Sequence, residues 1–335
     1  MVWIGFAISG LAVAVFIYKF DMGEVRRSLA QANGWSMALA GLVFLTSYLV
    51  RGLRWKLLLH PLKVLPWSRV RDVLMVGFML NCTLPARAGE IARPLLLWKL
   101  CGTSRRGGLA TVGVERIFDG FCLVGMMSLV ALAFEVPQGI RDAGYVVTAV
   151  MTTGLAVVLW LAFHPTSAFA VADRVLFFLP RRTRDRVLAF FERFVAGTGA
   201  LRQPRLVLGV GLTTLCVWGL EIVVYLSVMR GFGIELPLWC SVIVMAAVNF
   251  SIAVPSAPAY LGVYEAGCGG AVVALSRLLA YPMTWERALS YAIGLHLLVV
   301  AVIVGAGLVL MWRLGLSFGD LTRSEAASGS ADPRS

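Results

Sequence analysis

The feature that most constrains this sequence is a set of six uninterrupted apolar runs, at 1–18, 35–58, 108–134, 144–163, 206–229 and 288–312. Each is near the ~20 residues that carry a helix across ~30 Å of hydrocarbon. A chain of 335 residues that is 59% hydrophobic and only 14% charged has more apolar surface than one water-soluble core can hide. Soluble enzymes and nucleic-acid-binding domains are therefore excluded, and the sequence predicts an all-α polytopic membrane protein. The first run has no basic residue ahead of it and no convincing cleavage site, so it reads as a retained helix. Six cysteines, at 82, 101, 122, 216, 240 and 268, have neither metal-site nor disulfide spacing and read as small buried hydrophobes.

Two further apolar regions, 70–100 and 238–280, are cut near their middles. The first breaks between Thr83 and Glu90, with Pro85, Gly89 and then Pro94; the second breaks between Val254 and Gly262, with Pro255 and Pro258. Proline removes a backbone donor and glycine weakens a helix, so each region should be two helical pieces joined by irregular backbone. Pieces of this size are too short to span comfortably, and two re-entrant hairpins are expected, the second less firmly because its later piece could cross. A span, a broken hairpin and a span then occur in order twice, over 35–134 and 206–312. The second copy enters from the opposite side, which is the pattern of an inverted-topology repeat within one transmembrane domain, 1–316.

The 30 Lys and Arg outnumber the 18 Asp and Glu by twelve, and their distribution sets the orientation. Residues 51–71 carry Arg51, Arg54, Lys56, Lys63, Arg69 and Arg71 without an acid, and 164–205 is also basic. Both stretches are expected in the cytoplasm, together with both termini. Counting each hairpin as two full spans gives the same parity, so charge does not separate the two topologies. Within 164–205, Val187, Phe190, Phe191, Phe194 and Val195 define an amphipathic helix, resting on the inner leaflet or packing on its own domain. Residues 317–335 are polar and small and read as a disordered cytoplasmic tail.

Eight charged residues are read as lying inside the proposed membrane region, away from its ends: Arg87, Glu90, Arg93, Glu115, Arg116, Asp119, Glu221 and Glu265, joined by His296. A charge at the bilayer centre costs at least ~2.5 kcal/mol, so such groups should pair or face a protein-lined cavity. Arg87, Glu90 and Arg93 form one stripe if helical, Arg116 can reach Asp119, and Glu115 shares a face with Asp119. The helix that resumes within the break between Pro85 and Pro94 adds free N–H groups with a positive dipole end, which with Arg87 and Arg93 suits an anion such as a lipid phosphate. Against this stands the plainer reading that the charges neutralise one another as buried ion pairs. Glu221 and His296 are open between a proton-carrying and a structural role, and Asn81 and Asn249 are expected to cap loose backbone. There is no nucleotide-binding phosphate loop, no H-E-x-x-H motif and only His60, His164 and His296 among histidines, so no cofactor, metal or ATP is expected.

The string Asn81-x-x-Leu84-Pro85-Ala86-Arg87-Ala88-Gly89-Glu90-x-x-Arg93, then Glu115-Arg116-x-x-Asp119, then Pro255-x-x-Pro258-x-x-x-Gly262-x-x-Glu265, resembles the lysylphosphatidylglycerol synthase transmembrane family of flippase-like proteins. The likeness covers roughly residues 5–315. It implies a multi-pass protein of the bacterial cytoplasmic membrane that handles a phospholipid, glycolipid or isoprenoid lipid. The corresponding substrate-binding positions are Arg87, Glu90, Arg93, Glu115, Arg116, Asp119 and Glu265. The aminoacyl-transfer domain is missing from this sequence, so lysyl-lipid synthesis is not expected, and Ala259 stands where the family often has glycine. A non-enzymatic lipid translocase is the leading expectation. The alternatives are a lipid-phosphate hydrolase or transferase, whose weakness is that Thr83 and Ser256 are the only aliphatic hydroxyls in the breaks, and a non-catalytic partner of a lipid biosynthetic enzyme.

Overall fold

The structure is a computed structural model describing residues 2–84, 88–134, 138–163, 174, 176–178, 180, 184, 203–254 and 256–316. The expected amphipathic helix around 187–195, the tail 317–335 and Arg87 lie outside the described residues. The described part is helical with no strand, in the order α1 (Val2–Lys19), α2 (Met22–Ala30), α3 (Gly34–Leu59), α4 (Trp67–Thr83), α5 (Ala88–Cys101), α6 (Arg105–Ala133) and α7 (Gln138–Phe163). After these come α8 (Pro204–Gly231), α9 (Leu238–Ser251), α10 (Val263–Leu278) and α11 (Trp285–Arg313). The chain is an all-α polytopic membrane protein.

Four helices, α3, α6, α8 and α11, are individually long and apolar enough to cross a bilayer, and α1 with α2 adds a fifth candidate span bent by 92°. The bend follows from Asp21, whose carboxylate accepts from the backbone of Gly23 and Glu24 and so starts a new helix. The sequence reading ended the first span near Tyr18 but did not foresee α2. The apolar run 144–163 lies in α7, which begins earlier, at Gln138. All six cysteines are free; Cys82, Cys240 and Cys268 are buried as expected, whereas Cys216 is exposed on the outer face of α8.

Both interrupted regions are helical pairs. α4 has 17 residues and α5 has 14, so each reaches only about 21–26 Å. α9 and α10, with 14 and 16 residues, are equally short. Glycine lets the partners close: a Cβ on Gly89 would fall 1.8 Å from the Gly77 carbonyl oxygen, and one on Gly267 would fall 2.0 Å from Ser251 Oγ. The helix resumes at Ala88 rather than near Pro94, so Glu90 lies in the first turn of α5 and Pro94 is carried inside the helix. The second break runs through a single 3₁₀ turn, Pro258–Tyr260, with left-handed φ of 57° at Ala259, 61° at Tyr260 and 83° at Gly262. Left-handed backbone disfavours a Cβ, which is why a glycine in place of Ala259 would suit this turn. Ser9 of α1 supports the break, its hydroxyl accepting from Ala257 N at 2.9 Å.

The packing of α3 to α6 is repeated by α8 to α11. Exchanging α3 with α8, α4 with α9, α5 with α10 and α6 with α11 turns the contact of α3 on α4 into that of α8 on α9. The same exchange turns α5 on α6 into α10 on α11, and α4 on α11 into α9 on α6. The two central helices run antiparallel: Asn33 N donates to Gly231 O at one end, Arg51 meets Glu221 in the middle, and Leu57 packs on Gly209 at the other. Corresponding helices thus point in opposite directions, as an inverted repeat requires. Bending this close-packed frame should be expensive. Gly89→Ala is expected to destabilise the protein by about 1–3 kcal/mol through overpacking, whereas Gly120→Ala, with open space around its site, should not; thermal unfolding in detergent reads the difference.

Candidate functional site

The charged residues of the first copy meet in one network at the junction of α3, α5 and α6. Arg54 lies fully buried between two carboxylates, with Nη1 2.5 Å from Asp119 Oδ1 and Nη2 3.2 Å from Glu115 Oε1. Trp218 Nε1 donates to the same Asp119 oxygen at 3.1 Å. Arg93, 1% exposed, reaches Glu115 Oε2 at 3.3 Å and lies 5.1 Å from the rings of both Trp55 and Phe78. Arg116 contacts Glu90 at 3.4 Å, Glu115 at 3.3 Å and Asp119 at 3.4 Å. Three guanidinium groups thus face three carboxylates, which is how charges persist in a medium that solvates them poorly.

Exposure divides the network into two layers. Arg93, Glu115, Asp119 and Arg54 are sealed, whereas the side chains of Arg116 and Glu90 keep 38% and 24% of their surface. The sealed layer matches the plainer expectation of buried ion pairs and holds Arg116 in place; Arg116 and Glu90 are the groups a ligand could reach.

They reach a cavity of about 270 Å³ that also touches Asn81, Asn249, Tyr260, Tyr264, Glu221, Arg51 and His296. Its walls come from both interrupted regions, which meet there. The second copy contributes its own pair: His296 Nδ1 lies 2.5 Å from Glu265 Oε1, while Glu265 Oε2 accepts from Gly262 N at 2.7 Å. The Tyr264 ring stacks on His296 at 4.1 Å. Asn249 donates to Met245 O within its own helix rather than to the break, Asn81 Oδ1 has no hydrogen-bond partner among the described residues, and both line the cavity.

The polar residues in and beside the cavity are mates under the internal repeat. Glu90 and Glu265 are each the third residue of the returning hairpin helix, α5 or α10. Arg116 follows the first residue of α6, Arg105, by eleven positions, and His296 follows Trp285 of α11 by the same interval. Asn81 and Asn249 each stand two residues before the end of the entering helix, Thr83 or Ser251. Arg51 and Glu221 each stand seventeen positions into α3 or α8, and they pair with one another at 2.9 Å. A carboxylate followed by a nitrogen-bearing partner on the next long helix is therefore built twice, as Glu90 with Arg116 and as Glu265 with His296. The Arg51–Glu221 pair marks the point where the copies cross.

The sequence reading missed Arg51 and Arg54. It counted both as cytoplasmic loop bases, but α3 continues through them to Leu59, and they are 9% and 0% exposed. The available signal was the lack of any helix breaker before Pro61, with Ser47, Arg51 and Arg54 at helical spacing.

Fold and site together define a helical membrane protein with an inverted repeat folded around a polar chamber. The chain belongs to the family described as the lysylphosphatidylglycerol synthase TM region, which it matches over residues 2–313. It is 25% identical over 343 residues to a protein named glycosyltransferase AglD from Haloferax volcanii, covering 93% of this chain and 54% of that protein, so it spans about half the relative's length. It is also 25% identical over 279 residues to a UPF0104 membrane protein from Methanothermobacter thermautotrophicus, covering 80% of this chain and 82% of the relative. No solved structure matches.

Removing one partner from a buried ion pair leaves its mate unpaired, at a cost of about 3–5 kcal/mol. Arg54→Ala, which strands Glu115 and Asp119, is expected to lose that much stability, and Arg116→Ala clearly less. Unfolding of the two variants in detergent, compared with the parent, checks the ordering.

Proposed function

We propose that this protein translocates a lipid, with the phosphate-bearing headgroup crossing the membrane through the cavity between the two breaks while the tails stay in hydrocarbon. The observation that carries the reading is the chamber itself, lined by symmetry-related polar residues of both hairpins and reached by a guanidinium that keeps over a third of its surface. Arg116 holds the phosphate, because a planar guanidinium offers paired donors to it. Glu90 releases part of its hold on Arg116 as the anion arrives and meets a sugar or cationic group on the same headgroup. His296, held by Glu265, receives the headgroup in the second copy.

Arg93, Glu115 and Asp119 act by positioning Arg116 rather than by touching the lipid. An inverted repeat supplies the two exchangeable arrangements that alternating access needs. The family match supports a lipid substrate, and the relative named a glycosyltransferase makes a glycolipid headgroup a class to test beside a phospholipid. Lys63 donates to Cys101 O, so the loops after α3 and α5 share one end of the molecule with Arg69, Lys99, Arg105 and Arg106. That basic end is assigned to the cytoplasm of a bacterial inner membrane.

The test is headgroup movement in reconstituted vesicles, followed with phospholipid and glycolipid reporters. Losing a hydrogen bond to a charged group costs about 1.5–3 kcal/mol, so Arg116→Ala should slow movement tenfold or more while Arg116→Lys retains part of it. Wild-type rates in Arg116→Ala would overturn the proposed site, and release of phosphate without lipid movement would assign the chamber to hydrolysis.

A further inference from the structure

A second cavity, of about 360 Å³, lies between α3, α4 and α11, apart from the headgroup chamber. Its length is apolar, formed by Leu45, Leu49, Met75 and Val309, and its end is basic, formed by Arg71 and Arg313. Leu49 and Val309 are 37% and 56% exposed, so the groove opens on the lipid-facing side. Arg71, in the first turns of α4, pairs with Asp72 at 2.6 Å and lies over the Trp67 ring at 4.9 Å. Arg313, the last residue of α11, has no partner among the described residues. Two guanidinium groups against one carboxylate leave a net positive charge where the groove meets the end of α11.

Gly305 borders the groove in the interior of α11. Glycine there costs about 1 kcal/mol relative to alanine. No protein neighbour requires it, since a Cβ at Gly305 would meet nothing within 4 Å. Gly307, two residues on, differs: its Cβ would fall 2.4 Å from Met79 Cβ, so it is packed against protein. The space beside Gly305 is open to a ligand atom. Tyr48 lines both this groove and the headgroup chamber, its ring held edge-on by Phe44 at 5.0 Å and Phe78 at 4.9 Å. Tyr48 is the residue the two linings share.

We propose that this groove docks one anionic phospholipid of the adjacent leaflet, its phosphate on Arg313 and Arg71 and an acyl chain along Gly305, and that the headgroup passes Tyr48 from there into the chamber. The passage rests on the translocation reading; the docking does not.

The test places the full chain in phosphatidylcholine vesicles with a trace of phosphatidylglycerol bearing a diazirine in one acyl chain, and compares it with a diacylglycerol bearing the same chain. Illumination should label the stretches around Leu45, Leu49 and Val309 about tenfold more with the phosphate-bearing probe, the factor a charge-assisted contact supplies. Arg313→Ala should bring the two probes to parity. Gly305→Leu, which fills the groove, should remove the excess, and Gly305→Ala should fold at least as stably as the parent and keep most of it. Equal labelling by the two probes, or full labelling in Gly305→Leu, would overturn the docking site. Arg116→Ala should keep groove labelling while losing lipid movement. Groove labelling in a parent protein that moves no lipid would overturn the translocation reading and leave the docking site standing.

Discussion

The structure depends on the requirement that a charge within hydrocarbon be matched. Arg54 meets it by spanning Glu115 and Asp119, Arg93 by taking the other oxygen of Glu115, and Arg51 by pairing with Glu221 across the crossing of α3 and α8. Breaking such pairs is expensive because the stranded partner keeps its desolvation cost. The network therefore ties α3, α5 and α6 together and fixes where the two copies cross. It also leaves Arg116 beside a cavity, with its own carboxylates on one side and open space on the other.

The inverted repeat gives this arrangement a second, unequal version. Arg116 and His296 occupy matching places on α6 and α11, and Glu90 and Glu265 occupy matching places on α5 and α10. The first copy presents a guanidinium to the chamber and the second an imidazole.

Much of this was legible in the sequence for reasons that can be named. Prolines and glycines cluster in two otherwise apolar stretches, and the helices there stop at Thr83 and Ser251 and resume at Ala88 and Val263. Glu115, Arg116 and Asp119 announce themselves by helical spacing on an apolar helix. Pairings between distant helices were not legible. Nothing local couples Glu265 to His296, 31 residues on, or Arg54 to Asp119, 65 residues on. Arg51 and Arg54 were misplaced because a charge count treats the end of an apolar run as the end of the membrane, while the helix runs on until Pro61. Ala259 was noticed as a departure from the family's glycine, but only its left-handed φ shows what that glycine would do.

The most direct test of the chamber is an experimental structure of the full protein in lipid nanodiscs containing anionic phospholipid. The account predicts headgroup density between Arg116 and His296, in contact with the Arg116 guanidinium and with tails leading out between helices. A chamber closed onto its own side chains in every particle class, with lipid ordered only around the outer surface, would contradict it.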